Sequence, residues 1–136
     1  MTREILFRGK RVDNGEWVEG FYACVLDTHY IITGRFDSLT NGIINSEAYK
    51  VDPLGRGQFT GLTDKNGVKI FEGDIVNVKA RSCSFTGSVM YWSEEARYVC
   101  KTKSGMRYAI CAEFEFEVIG NIYDNPELLK DGEQNE

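Results

Sequence analysis

Gln58-Phe59-Thr60-Gly61-Leu62-Thr63-Asp64-Lys65-Asn66-Gly67-Val68-Lys69-Ile70-Phe71-Glu72-Gly73-Asp74-Ile75-Val76-Asn77-Val78 sets three short apolar runs between two turn signals. Phe59 to Leu62, Val68 to Ile70 and Ile75 to Lys79 carry the β-branched and aromatic residues that pleated strands accommodate. Asp64-Lys65-Asn66-Gly67 and Glu72-Gly73-Asp74 supply the Gly and Asx chemistry of tight turns. Strand, turn, strand and sharp re-entry is how a small β-barrel is assembled. The stretch therefore decides architecture while carrying no reactive constellation.

The same alternation continues on both sides. Downstream, Ser88 to Trp92 and Arg97 to Lys101 read as strands joined by the acidic turn Ser93-Glu94-Glu95-Ala96, and Arg107 to Ile110 follows. From Glu113 to Gly120 the residues Phe114, Phe116 and Val118 point one way and Glu113, Glu115 and Glu117 the other, the pattern of a half-buried strand. Short strands at this spacing describe an SH3-like barrel. Upstream, Glu4 to Arg8 and Gly15 to Tyr22 form strands about Asp13-Asn14-Gly15, where Asn-Gly suits a type I′ hairpin turn. Ala23 to Leu26 extends the second, His29 to Gly34 is a third, and Arg35 to Glu47 reads as a long loop or loose hairpin tip. Ala48 to Asp52 alternates until Pro53, Gly55 and Gly57 break it. The expected organisation is all-β: an N-terminal strand and hairpin region over 1–56, an SH3-like barrel over 57–126, and an acidic tail over 127–136. Asn125-Pro126-Glu127 is expected to open one capping helical turn, with Asn125 as N-cap.

Composition narrows the function. Of 136 residues 42% are hydrophobic, with eight Phe, seven Tyr and two Trp, too apolar for a disordered chain. No apolar run approaches the length of a membrane span, and Met1 to Lys10 lacks a signal-peptide core, so a cytoplasmic protein without membrane partners is expected. Cys24, Cys83, Cys100 and Cys111 contain no C-x-x-C pair, and buried free thiols are expected rather than a zinc site or disulfides. The net charge of −5 disfavours unspecific nucleic-acid binding. Between Lys79 and Arg107, however, six basic residues (Lys79, Arg81, Arg97, Lys101, Lys103, Arg107) meet only Glu94 and Glu95.

Reactive groups are sparse. His29 is the single histidine, and its neighbour Asp27 would point to the opposite face of a strand. Asp64 and Asp74 read as turn-fixing acceptors of backbone N–H groups. No Gly-containing turn has a phosphate-cradling spacing. The sequence thus points to no catalytic residue, no metal and no cofactor. Tyr91, Trp92, Tyr98, Lys101, Lys103 and Arg107 are the candidate binding residues, because aromatic and basic side chains interleaved on successive strands can stack bases and pair phosphates, or form a protein-binding groove. The competing reading is that Trp92 and at least one Tyr fill the core.

Three blocks also carry a resemblance: Phe7-Arg8-Gly9-Lys10-Arg11 with Asn14-Gly15-Glu16-Trp17-Val18; Gln58 to Gly67 with Phe71-Glu72-Gly73-Asp74-Ile75-Val76; and Glu117-Val118-Ile119-Gly120-Asn121-Ile122-Tyr123-Asp124-Asn125-Pro126-Glu127-Leu128-Leu129. In this order they resemble the YopX family of phage and prophage proteins and frame nearly the whole chain. The resemblance implies a phage or prophage origin and a β-rich fold whose C-terminal half is an SH3-like barrel, and it brings no catalytic residues with it. Two functional expectations follow. The first is a non-enzymatic accessory protein that self-associates into a homo-oligomer through an exposed strand edge and binds a host or phage protein. The second, disfavoured by net acidity, is a nucleic-acid-binding protein using the basic face.

Overall fold

Residues 4–80, 83–110 and 114–129 are described by the computed structural model, without the side chains of 35–37 and 43–45. Arg81, Cys111, Glu113 and the tail from Lys130 onward lie outside the described residues. The chain divides into two units, Met1–Gln58 and Phe59–Glu136. Both are built of antiparallel strands, so the all-β expectation holds.

In the N-terminal unit β1 (Phe7–Arg11), β2 (Trp17–Val25), β3 (Thr28–Asp37) and the first part of β4 (Gly42–Thr63) form consecutive ladders. β1 bonds β2 on one side and β4 on the other, so the four strands close into a ring. Inside it Ile31 and Val51 are buried. Gly9 makes their packing possible, since a Cβ there would lie 2.7 Å from Val51 Cγ1 and 2.9 Å from Ile31 Cγ1.

Two turns differ from expectation. The β1–β2 connection is a longer loop over 12–16, in which the N–H of Gly15 donates to the carbonyl of Arg11 and Gly15 has φ 74°. Asn14 does not share the positive φ that a type I′ turn requires at both central residues. The two-residue hairpin turn lies instead between β2 and β3, where Val25 pairs with Thr28 and both Leu26 (φ 51°) and Asp27 (φ 65°) are left-handed. Left-handed backbone costs an L-residue with a Cβ roughly 1–2 kcal/mol. Leu26→Asn with Asp27→Gly is accordingly expected to stabilise the unit by about 1 kcal/mol or more, read as a rise in the urea midpoint followed by Trp17 fluorescence.

Of the two readings of the polar segment after Gly34, the hairpin holds and the long loop does not. β3 and β4 continue as a hairpin to Asp37↔Gly42, leaving a tip over 38–41 with Asn41 at φ 56°. Nor does Pro53 end its strand. β4 passes through Pro53, Gly55 and Gly57, because the β1 ladder bulges there: Arg11 pairs with Val51 and Gly9 with Arg56. Pro53, which has no N–H, falls in the bulge, where the ladder asks no donor of it. Asp52 Oδ1 accepts the Leu54 N–H at 2.9 Å.

The C-terminal unit contains the end of β4 paired with β5 (Lys69–Phe71), and a sheet ordered β10-β6-β7-β8-β9. Its strands are β6 (Asp74–Lys79), β7 (Ser84–Trp92), β8 (Arg97–Thr102), β9 (Arg107–Ala109) and β10 (Glu115–Asn121). Ile70, Val76, Val78, Val89, Cys100 and Phe116 form its core, with Phe114 and Val118 packed against it. The alternation expected of β10 is thus observed from Phe114 onward.

Both turn carboxylates are buried acceptors. Asp74 Oδ2 takes the Phe71 N–H at 2.8 Å, and Gly73 has φ 90° with the Tyr123 ring closing over it. Asp64 Oδ1 takes the N–H groups of Asn66 (2.8 Å) and Val68 (2.9 Å), while Oδ2 takes that of Val118 (2.9 Å). The Lys65 N–H donates to the carbonyl of Phe116, also on β10. At the C-terminal end a short helical turn covers 127–129. Asn125 does not cap it as expected, since its Oδ1 accepts the N–H of Asn121 behind it. Among the described residues no helix is long and apolar enough to cross a membrane.

Candidate functional site

Register decides which of the candidate side chains share a surface. Residues directly opposite one another lie on the same face, and neighbours along a strand lie on opposite faces. Tyr91 pairs with Tyr98, Val89 with Cys100 and Cys100 with Tyr108. Tyr91, Tyr98 and Tyr108 therefore share the face of the buried Cys100. There Tyr91 and Tyr98 meet edge to face at 5.2 Å between centroids, and Tyr108 stacks on Phe85 at 4.1 Å.

The opposite face holds the pairs Trp92↔Arg97 and Lys101↔Arg107. The Arg107 guanidinium lies 4.6 Å from the Trp92 ring centroid, and that of Arg97 lies 5.9 Å from it. The expected set of six is thus divided by the pleat: Trp92, Lys101 and Arg107 stay together, Tyr91 and Tyr98 belong to the other side, and Lys103 sits in the β8–β9 turn. Trp92 is half-buried on the face opposite to Cys100, a face that also carries the buried Val99 and Ile75, and it is not one of the buried core residues. Arg97, outside the expected set, joins it through the four-residue turn that sets it opposite Trp92.

The acidic turn between β7 and β8 holds this cluster in place. Arg97 Nη2 pairs with Glu95 Oε1 at 2.7 Å, and the indole N–H of Trp92 donates to Glu94 Oε1 at 3.3 Å. All four of these groups are solvent-exposed enough that the contacts orient side chains more than they stabilise the fold. The result is a flat indole flanked by two guanidiniums, with Lys101 beside Arg107. Its chemistry suits carboxylates or phosphates through the cations and a planar or apolar group through the ring.

The other titratable residues are placed differently. His29 Nδ1 is hydrogen-bonded to the Tyr22 hydroxyl at 2.5 Å, their rings stacked 5.8 Å apart, while Asp27 lies in the hairpin turn. Burial pushes the Cys100 thiol up to about 12, so it stays protonated and non-nucleophilic at neutral pH. Cys24 and Cys83 correct the expectation of buried thiols: both are free but exposed, Cys24 near the end of the β2–β3 hairpin and Cys83 just before β7. A shallow cleft of about 140 Å³ is lined by Lys65, Lys79, Glu115 and Glu117 among others, and Lys65 Nζ lies 3.7 Å from both glutamates. Among the described residues no group of three or more His, Cys, Asp or Glu is arranged to hold a metal ion.

The fold has a solved counterpart. The crystal structure of protein EF1440 from Enterococcus faecalis is similar, at 26% identity and a TM-score of 0.54, over 94% of this chain and 99% of that one. No curated protein matches the chain. The description of the matching family is "YopX protein", and its profile covers residues 6–130, which includes all three blocks of motif and the whole of both β-systems. The chain belongs to the YopX family.

Proposed function

We propose that the protein is a non-enzymatic interaction module, an accessory protein of a phage or prophage that works as a homo-oligomer in the cytoplasm of the bacterial host. Its C-terminal, SH3-like unit engages an anionic protein partner through the face of Trp92, Arg97, Lys101 and Arg107. The observation that carries this reading is the stacking of Arg107 over the Trp92 ring with Arg97 on the same face. Tryptophan and arginine are the residue types that dominate binding energy at protein interfaces. The reading also fits the structural work of Asp64 and Asp74, whose carboxylates are engaged by backbone N–H groups rather than presented to a substrate.

A nucleic acid is the second reading, favoured by the same cations beside an aromatic ring. The two separate on co-purification of the tagged protein from phage-carrying cells with and without nuclease. A stoichiometric protein retained after nuclease and lost from Lys101→Glu/Arg107→Glu supports the first. Retention of that protein by the double variant overturns the assignment of the face. Nucleic acid recovered with wild type, with an affinity falling steeply as salt rises and roughly tenfold or more weaker in the double variant, establishes the second instead.

A further inference from the structure

The N-terminal unit exposes an apolar surface on the outside of its ring. On β2, Phe21 and Val25 are each 56% exposed, and Leu26 at the adjoining turn is 94% exposed. Phe21 pairs with Ile32, and Ile32 pairs in turn with Ala48 of β4; one step along, Ala23, Tyr30 and Lys50 form the next row. Phe21, Ala23, Val25, Tyr30, Ile32, Ala48 and Lys50 share the face opposite to the buried Ile31 and Val51. Glu19, two residues before Phe21, lies on this face as well.

We propose that this face is where two copies of the chain pair, about a two-fold axis passing at Ile32. The proposal deepens the homo-oligomer reading above and rests on it. The occupant is a second copy because the patch is complementary to itself. With strands about 4.8 Å apart and about 3.3 Å per residue, Glu19 and Lys50 lie about 8 Å from Ile32 in opposite directions. Glu19 is one strand to one side and two residues up; Lys50 is one strand to the other side and two residues down. A two-fold axis in the plane of the face, perpendicular to the line joining them, sets Glu19 of each copy against Lys50 of the other. The same operation sets Phe21 against Tyr30 and Ile32 against itself. This is what an isologous contact requires: oppositely charged ends around an apolar centre that meets its own image.

Neither Glu19 nor Lys50 is engaged in an ion pair among the described residues. Three strands about 4.8 Å apart over some seven residues of about 3.3 Å cover roughly 330 Å² of sheet per copy, a small contact of the weak, transient class, so a dimer of micromolar rather than nanomolar strength is expected.

Sedimentation equilibrium of the full chain tests this. Wild type is expected to be dimeric at about 100 µM, and Glu19→Lys and Lys50→Glu are each expected to weaken the dimer about tenfold or more by placing like charges together. The double variant Glu19→Lys/Lys50→Glu restores opposite charges and is expected to return to within about threefold of wild type. Phe21→Ser, at an exposed site, is expected to weaken the dimer about tenfold with an unchanged circular dichroism spectrum. A monomeric wild type, single variants that leave the association intact, or a double variant as weak as the singles would each overturn the pairing. The partner-capture experiment reads a different face, so an assembly unaffected by these changes removes this contact and leaves partner binding by Trp92 and Arg107 standing. If Phe21→Ser fails to fold, the charge exchange decides alone.

Discussion

Asp64→Ala is expected to destabilise the C-terminal unit by about 3–5 kcal/mol, because it strips a buried acceptor from three backbone N–H groups at once. Two of those donors, Asn66 and Val68, belong to the aspartate's own turn, and the third, Val118, lies 54 positions away on β10. One side chain thus fixes a turn and fastens that turn to the sheet. Asp64→Asn keeps one carbonyl oxygen but replaces the other acceptor with an NH₂ group, so an intermediate loss is expected. The effect depends on pH with a definite sign. Burial on its own would raise the Asp64 carboxyl, but the N–H groups of Val118, Val68 and Asn66, helped by the Lys65 charge, outweigh it and hold it below its usual value. A carboxyl depressed on folding contributes fully above its unfolded value of about 3.9, and that contribution is lost as pH falls through the folded value. The gap between wild type and Asp64→Ala is therefore expected to be full at pH 7 and to narrow below about pH 4. Urea midpoints across that range, followed by Trp92 fluorescence in a Trp17→Phe background, measure it.

Phe116→Ala is the other large effect, about 3–5 kcal/mol, against a change within about 0.5 kcal/mol for Glu115→Ala one position earlier. Phe116 is 5% exposed among Ile70, Val76, Val78, Val89 and Cys100, and it pairs directly with Val78 of β6. Truncation leaves a ring-sized void between two paired strands that cannot collapse without disturbing the ladder. Glu115 points the other way, and its contact with Lys65 is a 3.7 Å ion pair between half-exposed groups. Equal midpoints for the two variants would mean that β10 presents its other face to the core.

The strands of the C-terminal unit were legible because each declares itself locally. Alternation in Phe114-Glu115-Phe116-Glu117-Val118 and the Asp and Gly of the turns at 64–67 and 72–74 need no information from elsewhere in the chain. What local chemistry does not report is register. Tyr91 and Trp92 obviously face opposite ways as neighbours on a strand, but only the pairings Tyr91↔Tyr98 and Lys101↔Arg107 reveal which cations lie on the Trp92 side. The same reason hid the patch around Ile32, whose members come from three strands. Turn assignment failed where the backbone went against residue preference. Asn14-Gly15 offered the favoured type I′ pair and did not use it, while Leu26-Asp27 took two left-handed residues that sequence preference argues against. There the length of the β2–β3 ladder, from Phe21↔Ile32 to Val25↔Thr28, fixes a two-residue connection and leaves the turn no alternative. Pro53 misled for a related reason: a proline stops a strand only where the ladder needs its donor.

The turn that Asp64 organises also closes one border of the C-terminal sheet. An open sheet edge is a template on which a foreign strand can polymerise, and small β-proteins at high cellular concentration are exposed to that hazard. Along β10 the Phe116 carbonyl and the Val118 N–H are already taken by Lys65 and Asp64, so a stranger arriving there finds the docking positions filled by the chain's own turn. The far side of the sheet ends in β9, only three residues long and carrying the charge of Arg107. Growth of this sheet by adding strands is thus stopped at one border and curtailed at the other, so a contact on it falls to its faces rather than running on strand by strand into a fibre.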